Sequence, residues 1–323
     1  GASNTARAYT KLSNGTAWKW VGYLEVLTGF LITGYYAVVS GWCLQYVYAS
    51  IMGELHGDPT FVANYFKEFS SDPVRPVMWT VAIFLICHFV IIHGVRGGIE
   101  KASKVMMPLL FILLLIIVVA ACLLPDAGKG VEFLLKPDFG KVDRNVFLNA
   151  LGQSFYSMSI GMGCICTYAS YFSRQTNLFK SALQISIIDL LVAVLAGLMI
   201  FPAALGWIIS LLFYVLLSVA ALTSLMSLHE VNTSFFYEEL KIDRKKGATI
   251  VTVSCAVIGA FCSLSLGATD KLSFFGKALF DWFDFVTGQI FLPLGGFLTC
   301  LFLGWYVPKQ IVQDEFTNWG TLK

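Results

Sequence analysis

Charge is what this sequence has least of. Asp, Glu, Lys and Arg together make up 13% of its 323 residues, against about 25% in an ordinary soluble domain. The formal net charge of +2 is too small and too scattered for a nucleic-acid surface. Histidine is equally scarce: His56, His88, His93 and His229 show no ligand spacing with one another. The eight cysteines all fall inside apolar segments, none in a C-x-x-C pair, and Cys164 with Cys166 is a C-x-C without a partner cluster. Neither a disulfide framework nor a zinc site is expected. No Ser/His/Asp constellation or metal-ligand set marks an enzyme. Residues 1–19 lack the charged-then-apolar pattern of a signal peptide. They read as a polar loop leading into a long apolar helix, as an internal fragment would begin.

Apolar residues are what the sequence has in excess, at 57%, with a mean hydropathy of +0.73. They come in blocks such as 79–92, 105–124 and 185–200. A helix needs roughly 20 apolar residues to cross a hydrocarbon core of ~30 Å. The pattern predicts an all-α, polytopic membrane bundle over residues 1–323, with about eight spans at 18–48, 77–93, 105–124, 146–172, 181–201, 207–228, 248–266 and 277–307. Pro108 is placed in the first turns of the third span, where proline is tolerated. Residues 201–207 join two spans almost without a loop. If the first residue faces the cytoplasm, fourteen of the 22 Lys and Arg lie on that side, which puts both termini there.

Three flaws in the apolar blocks carry the chemistry. The fourth span holds Gln153, Tyr156, Ser157, Ser159, Gly161 and Gly163 at mid-depth. Two glycines weaken a helix interior by about 1 kcal/mol each relative to alanine. A break there would present backbone carbonyls to an ion or solute, as transporters do; close helix packing through small residues explains the same segment equally well. The sixth span puts Ala220, Thr223, Ser224 and Ser227 on one face. Their hydroxyls and carbonyls suit a monovalent cation, although back-bonding to the preceding turn is the commoner fate of such hydroxyls. Asp189 lies inside the fifth span, where an unpaired carboxylate costs about 2.5–3.5 kcal/mol and is a functional signal by default; a place at the cytoplasmic interface is the plainer alternative, since the span starts only about two turns earlier. Glu25 is shallower and more easily excused.

Read in order, Tyr35-Tyr36 with Ser40-Gly41-Trp42, Gln153 through Gly163, Thr167 to Tyr171, and Ala221 to Leu228 resemble the neurotransmitter:sodium symporter family, its bacterial amino-acid transporters above all. The resemblance implies inverted five-helix repeats around a central site. Residues 146–307 would form one complete repeat, and 18–124 three helices of the other. The family's first two helices, its last helix and its long outer loop have no counterpart, so the fold is expected to be incomplete.

The implied function is sodium-coupled symport of an amino acid or related amine by alternating access. Ile32, Tyr36, Tyr156, Ser159, Met162, Ser224, Ser227 and Leu228 would hold the substrate, with Tyr36 on its carboxylate and Tyr156 as a lid. Ser157 and Asp189 match one sodium site; Ala220, Thr223 and Ser224 match a second. Gln153 and Asp284 resemble outer-gate residues, and Tyr171 and Glu238 inner-gate residues whose arginine partners have no counterpart. No cofactor is implied beyond sodium, with chloride admitted as a further ion or replaced by the acid at 189. The implied setting is the bilayer of a bacterial inner membrane, with homo-oligomers admitted and no nucleic-acid partner. The alternatives are a truncated, non-transporting fragment or scaffold, and, as a third class, a channel. No ring of charge lines a pore in this sequence, which disfavours the last.

Overall fold

The computed structural model describes residues 4–55, 59–124, 127–172, 176–200 and 207–317. Its helices are α1 (Thr5–Leu12), α2 (Lys19–Met52), α3 (Pro59–Ser71), α4 (Arg75–Ile91), α5 (Glu100–Cys122), α6 (Ala127–Leu135) and α7 (Arg144–Ser157). There follow α8 (Cys164–Ala169), α9 (Leu178–Ile200), α10 (Trp207–Glu238), α11 (Arg244–Leu264), α12 (Leu279–Phe285), α13 (Leu292–Leu301) and α14 (Lys309–Phe316). Six helical stretches are long and apolar enough to cross a membrane: 19–52, 97–122, 178–199, 208–238, 244–264 and 279–306. Residues 64–71 and α4, bent 79° from each other, together make a candidate for a seventh. The expected span at 146–172 is divided between α7 and α8. Each of the eight expected spans thus contains helix, and six of them, or seven with the bent pair, are long and apolar enough to cross.

The axis of the molecule is α2, which packs against α4, α10 and α11. Its 34 residues extend about 50 Å. Ile32, Tyr35 and Val38 on α2 form one core with Met162, Leu228, Val231 and Leu292. Ala37 faces a second core of Ile83, Phe84, Cys87, Leu225 and Cys255. Large apolar side chains such as Leu85, Phe89, Ile112 and Val119 point outward. In a bilayer this outward face costs nothing, because lipid chains are as apolar as the core.

Four boundaries differ from expectation. Residues 5–12 are helical rather than loop: Asn4 caps α1 by accepting from the Arg7 N–H at 2.9 Å, and Thr5, Ala6 and Tyr9 are buried against α2. The third span starts at Glu100, after a π turn over Val95–Ile99, so Pro108 lies within α5. The sixth span continues ten residues past Leu228 to Glu238. Its polar end, His229, Glu230, Asn232, Thr233 and Ser234, is buried and hydrogen-bonded, so polarity does not end the helix there. Residues 277–278 pair in a short hairpin with 273–274, and the last span starts at Leu279. The short connection at 201–206 lies outside the described residues.

Candidate substrate and ion site

The fourth span does break. Between α7 and α8 the backbone takes positive φ at Ser159 (56°), Gly161 (78°) and Gly163 (76°). Left-handed conformation is cheap for glycine alone, so Ser159 is a strained residue at the centre of the bundle. Gly161 has no substitute here, since a Cβ would stand 2.6 Å from the Leu292 carbonyl oxygen. Gly161→Ala is expected to cost about 1–2 kcal/mol from backbone conformation alone, and more from that contact. A lowered Tm of the purified protein, with lost substrate binding, would check this.

The break opens onto a cavity of about 600 Å³. Its walls are Ile32 and Tyr36 from α2, Tyr156, Ser157, Ser159, Met162 and Cys164 at and beside the break, Thr223, Ser224, Ser227 and Leu228 from α10, Tyr168 from α8, and Val95, Ile99, Glu100, Ser103 and Met107 from the π turn and the start of α5. All eight residues expected to hold substrate line this one space. Ile32, Met162 and Leu228 are buried, giving it an apolar floor, while Tyr36 lies against Ser224. At one end the Tyr168 hydroxyl donates to Ser227 Oγ at 2.8 Å.

Two oxygen clusters flank the cavity. The Ser157 hydroxyl donates to Asp189 Oδ1 at 2.6 Å, joining the break to α9. On α10, Thr223 Oγ1 donates to the Ala220 carbonyl at 2.8 Å. Thr223 therefore back-bonds, and the same bond places a hydroxyl and a carbonyl oxygen side by side next to Ser224. Among the described residues no group of three or more His, Cys, Asp or Glu could hold a metal. Both clusters are hard, mostly neutral oxygen sets, which suits an alkali cation better than a transition metal.

Comparison with known proteins decides the family. Residues 61–210 match the model of the Sodium:neurotransmitter symporter family. An uncharacterized sodium-dependent transporter of Bacillus subtilis is 32% identical, over 98% of this chain and 76% of the relative. A second, from Haemophilus influenzae, is 30% identical over 93% of this chain and 73% of that protein. The crystal structure of MhsT in complex with L-phenylalanine superposes with a TM-score of 0.91 at 32% identity, covering 98% of this chain and 78% of MhsT. This chain belongs to the sodium:neurotransmitter symporter family. It is an integral membrane, sodium-coupled symporter, not an enzyme.

The residues of this symporter that were expected to act as gates are placed less tidily. Asp284 accepts from the Tyr35 hydroxyl at 3.2 Å, while Gln153 is exposed on α7. Tyr171 and Glu238 do not bond to each other. The Tyr171 hydroxyl donates to Glu230 at 3.1 Å, and Glu238 accepts from the Asn4 backbone N–H at 2.6 Å and its side-chain amide at 3.1 Å. Arg7 also stands at this end, but does not pair with the Glu238 carboxylate. It pairs with Glu239 at 2.8 Å and donates to the Glu238 carbonyl.

Glu230 is the residue sequence reasoning missed. Its side chain is fully buried and takes two hydrogen bonds from Arg244, at 3.0 and 2.5 Å. The only signal was its place two residues beyond the apolar run, which reads as a loop. Asn232, bonded to Thr33 across α2 and α10 at 3.2 Å, was missed for the same reason.

Proposed function

We propose that this protein moves an amino acid or related amine across the membrane with sodium, by alternating access around the break in the fourth span. The observation that carries the reading is the convergence of α2, the break and α10 on a single cavity with two oxygen clusters at its edge. MhsT, the similar solved structure, holds L-phenylalanine.

In this reading the Tyr36 hydroxyl takes the substrate carboxylate and Tyr156 closes over it. Ser159 and Met162 contact it from the break, where freed backbone groups also reach the ligand. Ser224, Ser227 and Leu228 surround its side chain. The Tyr168–Ser227 bond consumes the polar capacity of that end, which favours an apolar side chain. Ser157 and Asp189 take one sodium ion; the Ala220 carbonyl, Thr223 and Ser224 take another. The carboxylate at 189 supplies the negative charge that chloride would otherwise bring, so transport is expected to proceed without chloride. Gln153 and Asp284 act on the outer side, Tyr171 and Glu238 on the inner.

Residues 146–307 serve as one repeat and 18–124 as part of its inverted counterpart, in a bacterial inner membrane with the first and last residues cytoplasmic. Self-association through the lipid-facing surface is compatible with this arrangement.

The test is uptake of radiolabelled L-leucine and L-phenylalanine into proteoliposomes. An inward sodium gradient is expected to drive saturable accumulation, unchanged when gluconate replaces chloride. Equal uptake with potassium in place of sodium overturns the reading, and ionic current without saturable uptake would indicate a channel.

A further inference from the structure

Glu25 lies outside every role assigned above, yet it is one of the most enclosed carboxyl groups in the protein, at 4% exposure. It sits on α2 where α1 and α13 meet. The Tyr9 hydroxyl of α1 lies 3.1 Å from Glu25 Oε1, and Thr299 Oγ1 of α13 lies 2.8 Å from the same oxygen. The two hydroxyls are 2.7 Å from each other, and Thr299 Oγ1 is 2.7 Å from the Gly295 carbonyl oxygen.

Each of these four oxygen–oxygen contacts is of hydrogen-bond length and calls for a proton between the atoms. The two hydroxyls supply one proton each, a carbonyl supplies none, and an ionised carboxylate only accepts. With Glu25 ionised, two of the four contacts lack a proton. With Glu25 protonated, its O–H donates to Thr299, Thr299 donates to the Gly295 carbonyl, and Tyr9 donates to Glu25 or Thr299; one contact is left. Contacts of 2.7–2.8 Å also suit hydrogen bonds better than a cation held between the oxygens.

The surroundings agree with a neutral carboxyl. The titratable groups facing Glu25 are Tyr9 of α1 and the thiols of Cys164 and Cys166 on α8. From α13 it meets Thr299, and no basic side chain stands against it among the described residues. An unpaired charge buried in this way is expensive.

Glu25 is not sealed away. With Tyr9 and Thr299 it lines a cavity of about 280 Å³ whose other wall is the backbone of the break at 159–163. Gly295 stands between the two: a Cβ there would lie 3.1 Å from the Gly161 carbonyl oxygen and 3.6 Å from Glu25 Cγ. A shift of the break against α13 therefore alters the contacts of Glu25 directly. The break, α13 and Glu25 form one contiguous body.

We infer that Glu25 is a proton-binding site coupled to the transport cycle, so that turnover moves protons as well as sodium and substrate. The O–H bond is kept in the conformation seen here. When the break moves away from α13 the proton passes through water in the adjoining cavity to one side of the membrane, leaving the carboxylate, and on the return a proton is taken up from the other side. This inference rests on the transport reading above for its coupling, but the protonated state of Glu25 does not.

Two measurements separate the two ideas. First, infrared difference spectra of the purified protein against Glu25→Gln near neutral pH are expected to show the carbonyl band of a protonated carboxyl that the variant lacks. Its absence overturns the site whether or not the protein transports. Second, proteoliposomes loaded with a pH-sensitive dye are expected to show an internal pH change when sodium and L-leucine are added together. In Glu25→Gln that change should fall about tenfold or more, while sodium-dependent leucine binding persists. An undiminished signal in the variant overturns the coupling. If Glu25→Gln binds no leucine, Tyr9→Phe provides the readout, since it removes one hydroxyl and leaves the carboxyl. Its pH signal should shift its midpoint, and an unmoved midpoint overturns the coupling. Proteoliposomes that accumulate no amino acid with sodium count against the transport reading, with the infrared result still deciding the state of Glu25.

Discussion

Replacing Thr223 and Ser224 together by alanine is expected to abolish sodium-dependent uptake while leaving the protein folded. The Thr223 hydroxyl is already satisfied by the Ala220 carbonyl one turn back, and Ser224 faces the cavity with a single contact to Tyr36 of α2, so little of the bundle's packing depends on them. Alanine is also the better helix former. The loss would fall on the ion. Removing two of its oxygen ligands at a cost of about 3 kcal/mol weakens sodium binding by roughly a hundredfold. Uptake measured against sodium concentration, alongside an unchanged Tm in sodium-free buffer, checks both halves. Sodium-driven uptake with wild-type concentration dependence in the double variant would remove this ion site from the proposal.

The largest effect on stability is expected at Glu230. Its carboxylate is fully buried, while Arg244 keeps 23% side-chain exposure. Glu230→Ala leaves the guanidinium half-enclosed without its partner, and it also removes the acceptor for Tyr171. Breaking such a pair from one side costs about 3–5 kcal/mol, mostly because a charge is stranded. Removing both charges, as in Glu230→Met with Arg244→Leu, should recover most of the loss. The signature is a double-mutant cycle with strong coupling, read from chemical or thermal unfolding in detergent. A single variant as stable as the wild type would show that the pair contributes little.

The two variants probe opposite kinds of polar residue. Thr223 and Ser224 were legible because an apolar run made their polarity conspicuous, and Thr223 also because its partner, the Ala220 carbonyl, is three residues away. The break at Ser157–Gly163 was legible for the same local reason: glycines spaced for left-handed backbone, within a span that should have none. Asp189 stood out by its cost in hydrocarbon. Glu230, Asn232 and Glu25 gave no such signal. Each lies near an end of an apolar run, where a polar residue needs no explanation, and each finds its partner on another helix. For Glu230 the partner is Arg244 across the α10–α11 turn; for Asn232 it is Thr33 on α2; for Glu25 the partners are Tyr9 and Thr299, from nearly opposite ends of the chain. Arg7 was overlooked for a related reason, since a polar amphipathic turn resembles a loop until α2 is there to bury one side of it.

The sequence by itself determined the membrane class, the spans and the positions of the flaws within them. These follow from hydropathy and backbone propensity, which are properties of neighbouring residues. The tertiary structure alone decided which flaws meet. Ser157 reaches Asp189 because α7 ends beside α9, the cavity exists because α2 and α10 flank the break, and Glu25 shares protons with helices that arrive from both ends of the chain. Polar groups inside an apolar bundle must find partners wherever the packing puts them, and no local pattern records where that is.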